Sequence, residues 1–296
     1  MIKKIKKMCQ EMEEEYYRLI IKNRNKKKIN ELDELCKKYL NKTFKDVILV
    51  SPEKIKELVE KYGGLSKEKK NEFKKYYGYI INSLYKNMNI EARKIIFKNT
   101  DHNICPYCDR NYISFIKKDD EKYTSFFEID HFWSKSDFFI LAVSLYNLIP
   151  VCPACNRVKS NNEFKYYLYN NGNNDDVVFT YDIESCDFIH NKESIYIKLK
   201  YNNMELKDDH KLLYIESLYQ NHKDVIQEII WKFIKYNKYY IKSLGELFGD
   251  RLSDDETYKF LFSNYYDVED EGIRPLSKFT RDIVKETAGV YGIDIL

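Results

Sequence analysis

The chain has 296 residues, 50 Lys and Arg against 47 Asp and Glu, and a formal net charge of +3, so net charge alone does not argue for a nucleic-acid partner. An apolar fraction of 44%, with 27 Tyr and 17 Phe, is enough to build real cores, either in two domains or in one site-bearing module within a helical body. No stretch approaches the roughly 18 consecutive apolar residues of a membrane span. The basic start MIKKIKKMCQ also lacks an apolar segment and a cleavage site, so a cytoplasmic protein with no membrane partner is expected.

The distribution of charge says more than its sum. Residues 1–30 carry ten bases against four acids, residues 67–98 carry nine against three, and residues 251–296 reverse the balance with six against ten. A basic front and an acidic tail would give the molecule an electrostatic face. The same lysines also fit a solvated surface in a compositionally biased chain.

Along the chain, EMEEEYYRLIIKN and INELDELCKKYLNK place apolar residues three and four apart and predict helices. SPEKIKELVEKYGG predicts a third, capped by Ser51, with Pro52 in its first turn and Gly63 and Gly64 ending it. A longer helix is expected over 67–97, with a break near 87–89. Between 105 and 162 the pattern shortens to a Cys-x-x-Cys turn, a strand SFFEIDH, a loop, a strand NLIPV, a second Cys-x-x-Cys and the start of a helix. The Asn-rich segment 169–176 reads as a loop, VVFTYD and SIYIKLKY as two strands of a hairpin, and 209–248 as helix. The expectation is an α+β protein in three regions. A basic helical arm spans 1–100, a core bearing both Cys-x-x-Cys units spans 101–165, and a small β hairpin followed by helices spans 166–296.

Seven cysteines, at 9, 36, 105, 108, 152, 155 and 186, are an odd set for a disulfide framework. Cys105 and Cys108 recur as Cys152 and Cys155 after 43 intervening residues, and each pair has Pro after its first Cys. Four thiolates are the ligand set of a closed tetrahedral zinc site. A redox pair would need alternating strands and helices that are missing here. Coincidental core thiols and iron–sulfur ligation by the same four residues remain open alternatives.

Between the pairs, EIDHF sets Asp130 beside His131 at the end of an apolar strand, and Asn147 and Asn156 follow 16 and 25 residues beyond the histidine. The two thiolate pairs would tie the strand end to the helix bearing Asn156. One imidazole, one carboxylate and one carboxamide then suffice for phosphodiester hydrolysis. His131 takes a proton from water, and Asp130 and the Asn156 amide oxygen hold a divalent cation such as Mg2+ against the scissile phosphate. Chemistry alone does not assign Asn147, although an amide at the hairpin return could fix the loop carrying His131.

These residues, IDHF, YNLIPVCPACNRVKSNN and the upstream CPYC, resemble the HNH or ββα-metal nucleases in their four-cysteine form, over about 58 residues. The resemblance implies a structural zinc on Cys105, Cys108, Cys152 and Cys155, with His131 as general base and Asp130 and Asn156 as ligands of the catalytic cation. It implies that Asn147 supports the loop and the base. Asn156 stands where the family often has His, and Ser134 stands where many members have Pro. The wider arrangement resembles HNH effectors of bacterial antiphage systems, in particular the nuclease partner of the ATPase in Septu-type systems. No GxxxxGK[ST] motif occurs, so an ATP-dependent step would reside in that partner.

Arg157, Lys159 and Lys135 are the expected phosphate contacts, with solvation the plainer reading for Lys159. Trp133 could be a stacking wedge or the lid of a small core. His102, His190, His210 and His222 read as structural, with His102 a weak substitute ligand. DNA is the expected substrate. RNA cleavage by the same site, or a zinc-bearing nucleic-acid-binding scaffold without catalysis, are the alternatives.

Overall fold

Short helices, each with one apolar stripe, build the N-terminal part of the computed structural model, which describes residues 5–100, 103–118, 123–170, 173–236 and 253–292. The chain divides into two compact units. One comprises Lys4–Asp101 and Ile113–Gly172, and the other is built from His102–Tyr112 and Asn173–Leu296. His102 and residues 237–248 of the expected 209–248 helix lie outside the described residues.

In the first unit α1 (Gln10–Ile21) buries Tyr16, Leu19 and Ile20, and α2 (Lys26–Leu40) buries Leu32, Cys36 and Leu40. These are the i, i+3, i+4 and i, i+4, i+8 positions of a single helix face. Asn25 caps α2 by accepting from Lys28 N at 3.2 Å, and Asn41 closes it in the left-handed region at φ 55°. The helix α3 (Phe44–Ile48) opens on a reciprocal cap between Thr43 and Asp46, and α4 (Pro52–Gly63) begins on Pro52. Ser51 occupies the cap position of α4, but its hydroxyl makes no cap bond.

The expected 67–97 helix forms in three pieces: α5 (Lys67–Lys74), a π-helical stretch Tyr79–Lys86, and α6 (Ile90–Asn99). The break does fall at 87–89. Asn87 ends one piece, and the Asn89 side chain accepts from Glu91 N at 2.9 Å to start the next, as short amides that compete for backbone groups do.

Two small hairpins follow. β1 (Phe115–Lys117) pairs antiparallel with β2 (Tyr123–Ser125), and β3 (Glu128–His131) pairs antiparallel with β4 (Leu148–Val151), setting Asp130 opposite Ile149 and His131 opposite Leu148. The predicted strand 125–131 is therefore divided, with Ser125 ending β2 and Glu128 opening β3. The connection from β3 to β4 is irregular and buried from Phe139 onward, so its carbonyls need donors. Tyr16 Oη donates to Val143 O at 3.0 Å, and Tyr167 Oη donates to Tyr146 O at 2.7 Å. After β4, α7 (Pro153–Lys159) starts on Cys152, with Pro153 in its first position. The sequence β3, β4, α7 is a ββα unit.

In the second unit β5 (Val177–Ile183) and β6 (Ile195–Tyr201) form the expected antiparallel hairpin, with Val177 opposite Tyr201. The expected 209–248 helix is instead α8 (Met204–Leu212), α9 (Ile215–Tyr219) and α10 (Lys223–Lys235), broken where Tyr214 turns left-handed at φ 56°. Among the described residues two further helices follow, α11 (Asp254–Phe262) and α12 (Ser277–Tyr291). The α12 carboxylate Asp282 accepts from Phe179 N at 3.0 Å, and Phe279 packs on Phe179 at 5.3 Å. The same unit holds the turn around Cys108. Tyr219 Oη donates to Cys108 O at 2.9 Å, and Leu276 N donates to Asp109 O at 2.8 Å.

The protein is thus α+β and mostly helical, with a ββα core set among helices. Among the described residues no helix is long and apolar enough to cross a membrane.

Candidate metal centre and active site

Each cysteine pair lies on a tight turn. In CPYC, Asp109 N bonds Cys105 O at 3.0 Å and Cys105 N bonds Asn111 O at 2.9 Å, with Asp109 in the left-handed region at φ 53°. In CPAC, Cys152 occupies the position before α7 and Cys155 sits in its first turn. The ligand atoms of Cys105, Cys108, Cys152 and Cys155 all lie within 4.8 Å of one another, and all four residues are buried and free of disulfides. Zn–S bonds of about 2.3 Å in a tetrahedron separate sulfurs by about 3.8 Å, so this donor set fits one zinc ion. Asn111 Nδ2 also points a donor at Cys108 Sγ from 3.8 Å, a contact suited to a thiolate. Cys36 belongs to the core face of α2, whereas Cys9 and Cys186 are exposed.

Beside the hairpin is a polar cavity of about 190 Å³, whose lining includes Asp130, His131, Ser134, Lys135, Asn156 and Ser160. The end of β3 supplies the first two, and α7 brings Asn156 to the same space. His131 Nε2 lies 3.0 Å from Ala142 O. A carbonyl only accepts, so Nε2 carries the hydrogen and Nδ1 is left as the acceptor. Burial pushes the imidazole pKa down to about 3, with the Lys135 charge adding to the effect, so the ring is neutral at physiological pH.

Asp130 does not face the cavity as an uncompensated charge. Lys159 Nζ lies 3.0 Å from Asp130 Oδ2 and donates to His131 O at 2.9 Å. Lys159 was expected to meet solvent or phosphate, yet only 1% of it is exposed. The reason is helical spacing: Lys159 follows Cys155 by four residues and shares its inward face. Arg157, two positions earlier, is exposed, and Lys135 is half-buried at the cavity wall.

Asn156 Nδ2 donates to Glu128 Oε2 at 2.6 Å. Glu128 and Asp130 are two apart on β3 and therefore share a face of the strand. The sequence reading passed over Glu128, although the alternation in EIDH was the signal that could have found it. It also missed Tyr85, whose ring meets the His131 ring edge-on at 4.5 Å. No local pattern marks a residue so far upstream.

Asn147 is completely buried and does not line the cavity. Its Oδ1 accepts from Trp133 N at 2.8 Å, and its Nδ2 donates to Trp133 O and Leu141 O, each at 3.1 Å. The amide thus ties the two ends of the loop after His131. Trp133 is buried against Phe132 and Tyr167, at 4.7 and 4.9 Å, as a core lid.

A ββα hairpin and helix, and four buried cysteines whose ligand atoms suit a structural zinc site, together define a core of the ββα-metal class. Residues 105–162 match the family model of HNH endonucleases, so this part of the chain is an HNH-like domain. Neither a curated protein nor a solved structure matches the chain.

Proposed function

We propose that the 105–162 domain is a metal-dependent endonuclease that hydrolyses phosphodiester bonds in DNA, with His131 as general base. The observation that carries this reading is the Nε2 to Ala142 O bond, which fixes the tautomer and leaves a neutral Nδ1 as proton acceptor beside Asp130 and Asn156. Water attacking a phosphate in the cavity would give its proton to Nδ1. The Asp130 carboxylate and the Asn156 amide oxygen are hard donors on one cavity wall, a set that fits Mg2+ completed by waters. When bound there, the cation supplies charge stabilisation for the phosphate and the departing 3′ oxygen. Lys159 holds Asp130 in place, and Asn147 holds the loop. The four cysteines hold a structural zinc, since four thiolates leave no open position for chemistry.

Arg157 and Lys135 are the phosphate contacts of this reading. A role as an antiphage effector working with an ATPase subunit rests on the resemblance of the whole arrangement, and co-purification from cells expressing both proteins checks it.

The test is a panel of plasmid, single-stranded DNA and structured RNA with Mg2+, Mn2+ or Ni2+, followed by end-group analysis. Cleavage of DNA to 5′-phosphate and 3′-hydroxyl ends is the expected result. Cleavage of RNA alone transfers the same machinery to an RNase. Binding without cleavage under every condition, with any activating partner present, favours a scaffold.

A further inference from the structure

We propose that Tyr85 is a positioning residue for this site, one ring that sets both the His131 imidazole and the Lys135 ammonium, and that Lys135 so held contacts a substrate phosphate. The inference rests on the nuclease reading for the identity of the phosphate, whereas the positioning of His131 is independent of it.

Tyr85 lies in the π-helical stretch Tyr79–Lys86. Such stretches are poorer helices than the α form and recur at functional sites, where the wider turn re-aims a side chain. Three contacts leave this one residue. Its ring meets the His131 ring edge-on, with centroids 4.5 Å apart and planes at 61°. Its hydroxyl donates to Ile129 O at 3.2 Å. Lys135 Nζ lies over its ring, 5.0 Å from the centroid.

The hydroxyl contact follows from the hairpin. Phe132 N bonds Asn147 O at 2.9 Å. Alternation along an antiparallel pair then turns the carbonyls of Ile129 and His131 away from β4, toward the open edge of β3. Tyr85 takes the first of these carbonyls, and Lys159 takes the second. The edge of β3 is therefore pinned on both sides of Asp130.

The ring contacts complete the arrangement. An imidazole held through Nε2 alone can still swing about that bond, and the edge of Tyr85 is a wall against that motion. The face of the same ring is occupied by Lys135, which lines the cavity with Asp130 and His131. A cation over an aromatic face keeps N–H donors for a ligand. Burial also lowers the Lys135 pKa, with the charge of Asp130 opposing the shift, which is consistent with an ammonium drawn into the site. Base and phosphate anchor are thus spaced by one side chain.

The test uses the full chain with its zinc and three variants. Nitrogen NMR of the His131 ring reads its tautomer without reference to activity. The wild type and Tyr85→Phe, which keeps the ring, should show hydrogen on Nε2 only. Tyr85→Leu should keep hydrogen on Nε2 but show His131 ring signals shifted or broadened by ring motion, with a fall in kcat and weaker DNA binding. Lys135→Gln should keep the His131 tautomer, raise KM about tenfold, and lower the salt slope of binding to a DNA duplex by about 0.9, the value for one lost phosphate contact. A folded Tyr85→Leu protein with wild-type His131 signals overturns the positioning role. An unchanged salt slope in Lys135→Gln overturns the phosphate contact, and it decides the case if Tyr85→Leu does not fold. Should His131→Ala prove fully active, the nuclease reading falls while the NMR result stands by itself.

Discussion

Lys159 and Asp130 form an ion pair at 3.0 Å with side-chain exposures of 1% and 4%. Little water is left to compensate either charge alone, so the pair behaves as a unit. Lys159→Met should cost about 3–5 kcal/mol in denaturant unfolding, the scale for stranding a buried charge. Adding Asp130→Asn should recover part of that loss. A single variant as stable as wild type would show that the carboxylate finds water or another partner.

Zinc on the four cysteines should appear as about one metal ion per chain by elemental analysis. Chelation, or Cys105→Ser, should destabilise the 105–162 domain, because structural zinc contributes on the order of 10 kcal/mol to small sites. Unchanged melting after complete metal loss would contradict this role.

Asn147→Ala leaves Trp133 N, Trp133 O and Leu141 O without their present side-chain partner. Each buried group so stranded costs about 1–3 kcal/mol, so a total loss of about 3 kcal/mol or more is expected in equilibrium unfolding. Cleavage should fall as well, since the loop after His131 loses its tie. Asn147→Asp retains the acceptor for Trp133 N but sets a buried carboxylate oxygen against the Trp133 and Leu141 carbonyls, so it should be no less damaging.

The order of elements in the core was legible because its signals are local. Cysteine spacing, the apolar runs before His131 and around Ile149, and Pro153 at a helix start each act within a few residues. The hairpin β1–β2 was not legible, since strands of three residues carry almost no periodicity. The 67–97 segment reads as helix throughout by composition, and the π-helical register of 79–86 depends on packing that its own sequence does not encode. Lys159 shows the limit at the site itself. A lysine is usually solvated, and only the shared face with Cys155 turns it toward Asp130. Tyr85 reaches Ile129 and His131 through tertiary packing alone.

His210 in α8 is fully withdrawn from water, and desolvation pushes its pKa well below the usual value, while Tyr201 Oη lies 3.1 Å from its Nδ1. Below about pH 6.5 the unfolded chain binds a proton that the folded protein resists, so stability falls as pH drops through that value. The slope is up to about 1.4 kcal/mol per pH unit for one such histidine. Denaturant unfolding from pH 7.5 to pH 5.5 should therefore show a smaller decline in His210→Gln than in the wild type. Equal declines would mean that His210 takes up its proton in the folded state.

In the proposed reaction His131 Nδ1 accepts the proton of the attacking water. Single-turnover cleavage of DNA by the wild type and by His131→Ala, in the presence of the divalent cation and any activating partner, tests it most directly. The variant should keep its fold, its zinc and its affinity for DNA, and its cleavage rate should drop about 10²-fold or more, the scale of a lost general base. Cleavage by His131→Ala at the wild-type rate, with contaminating nuclease excluded, would contradict the account.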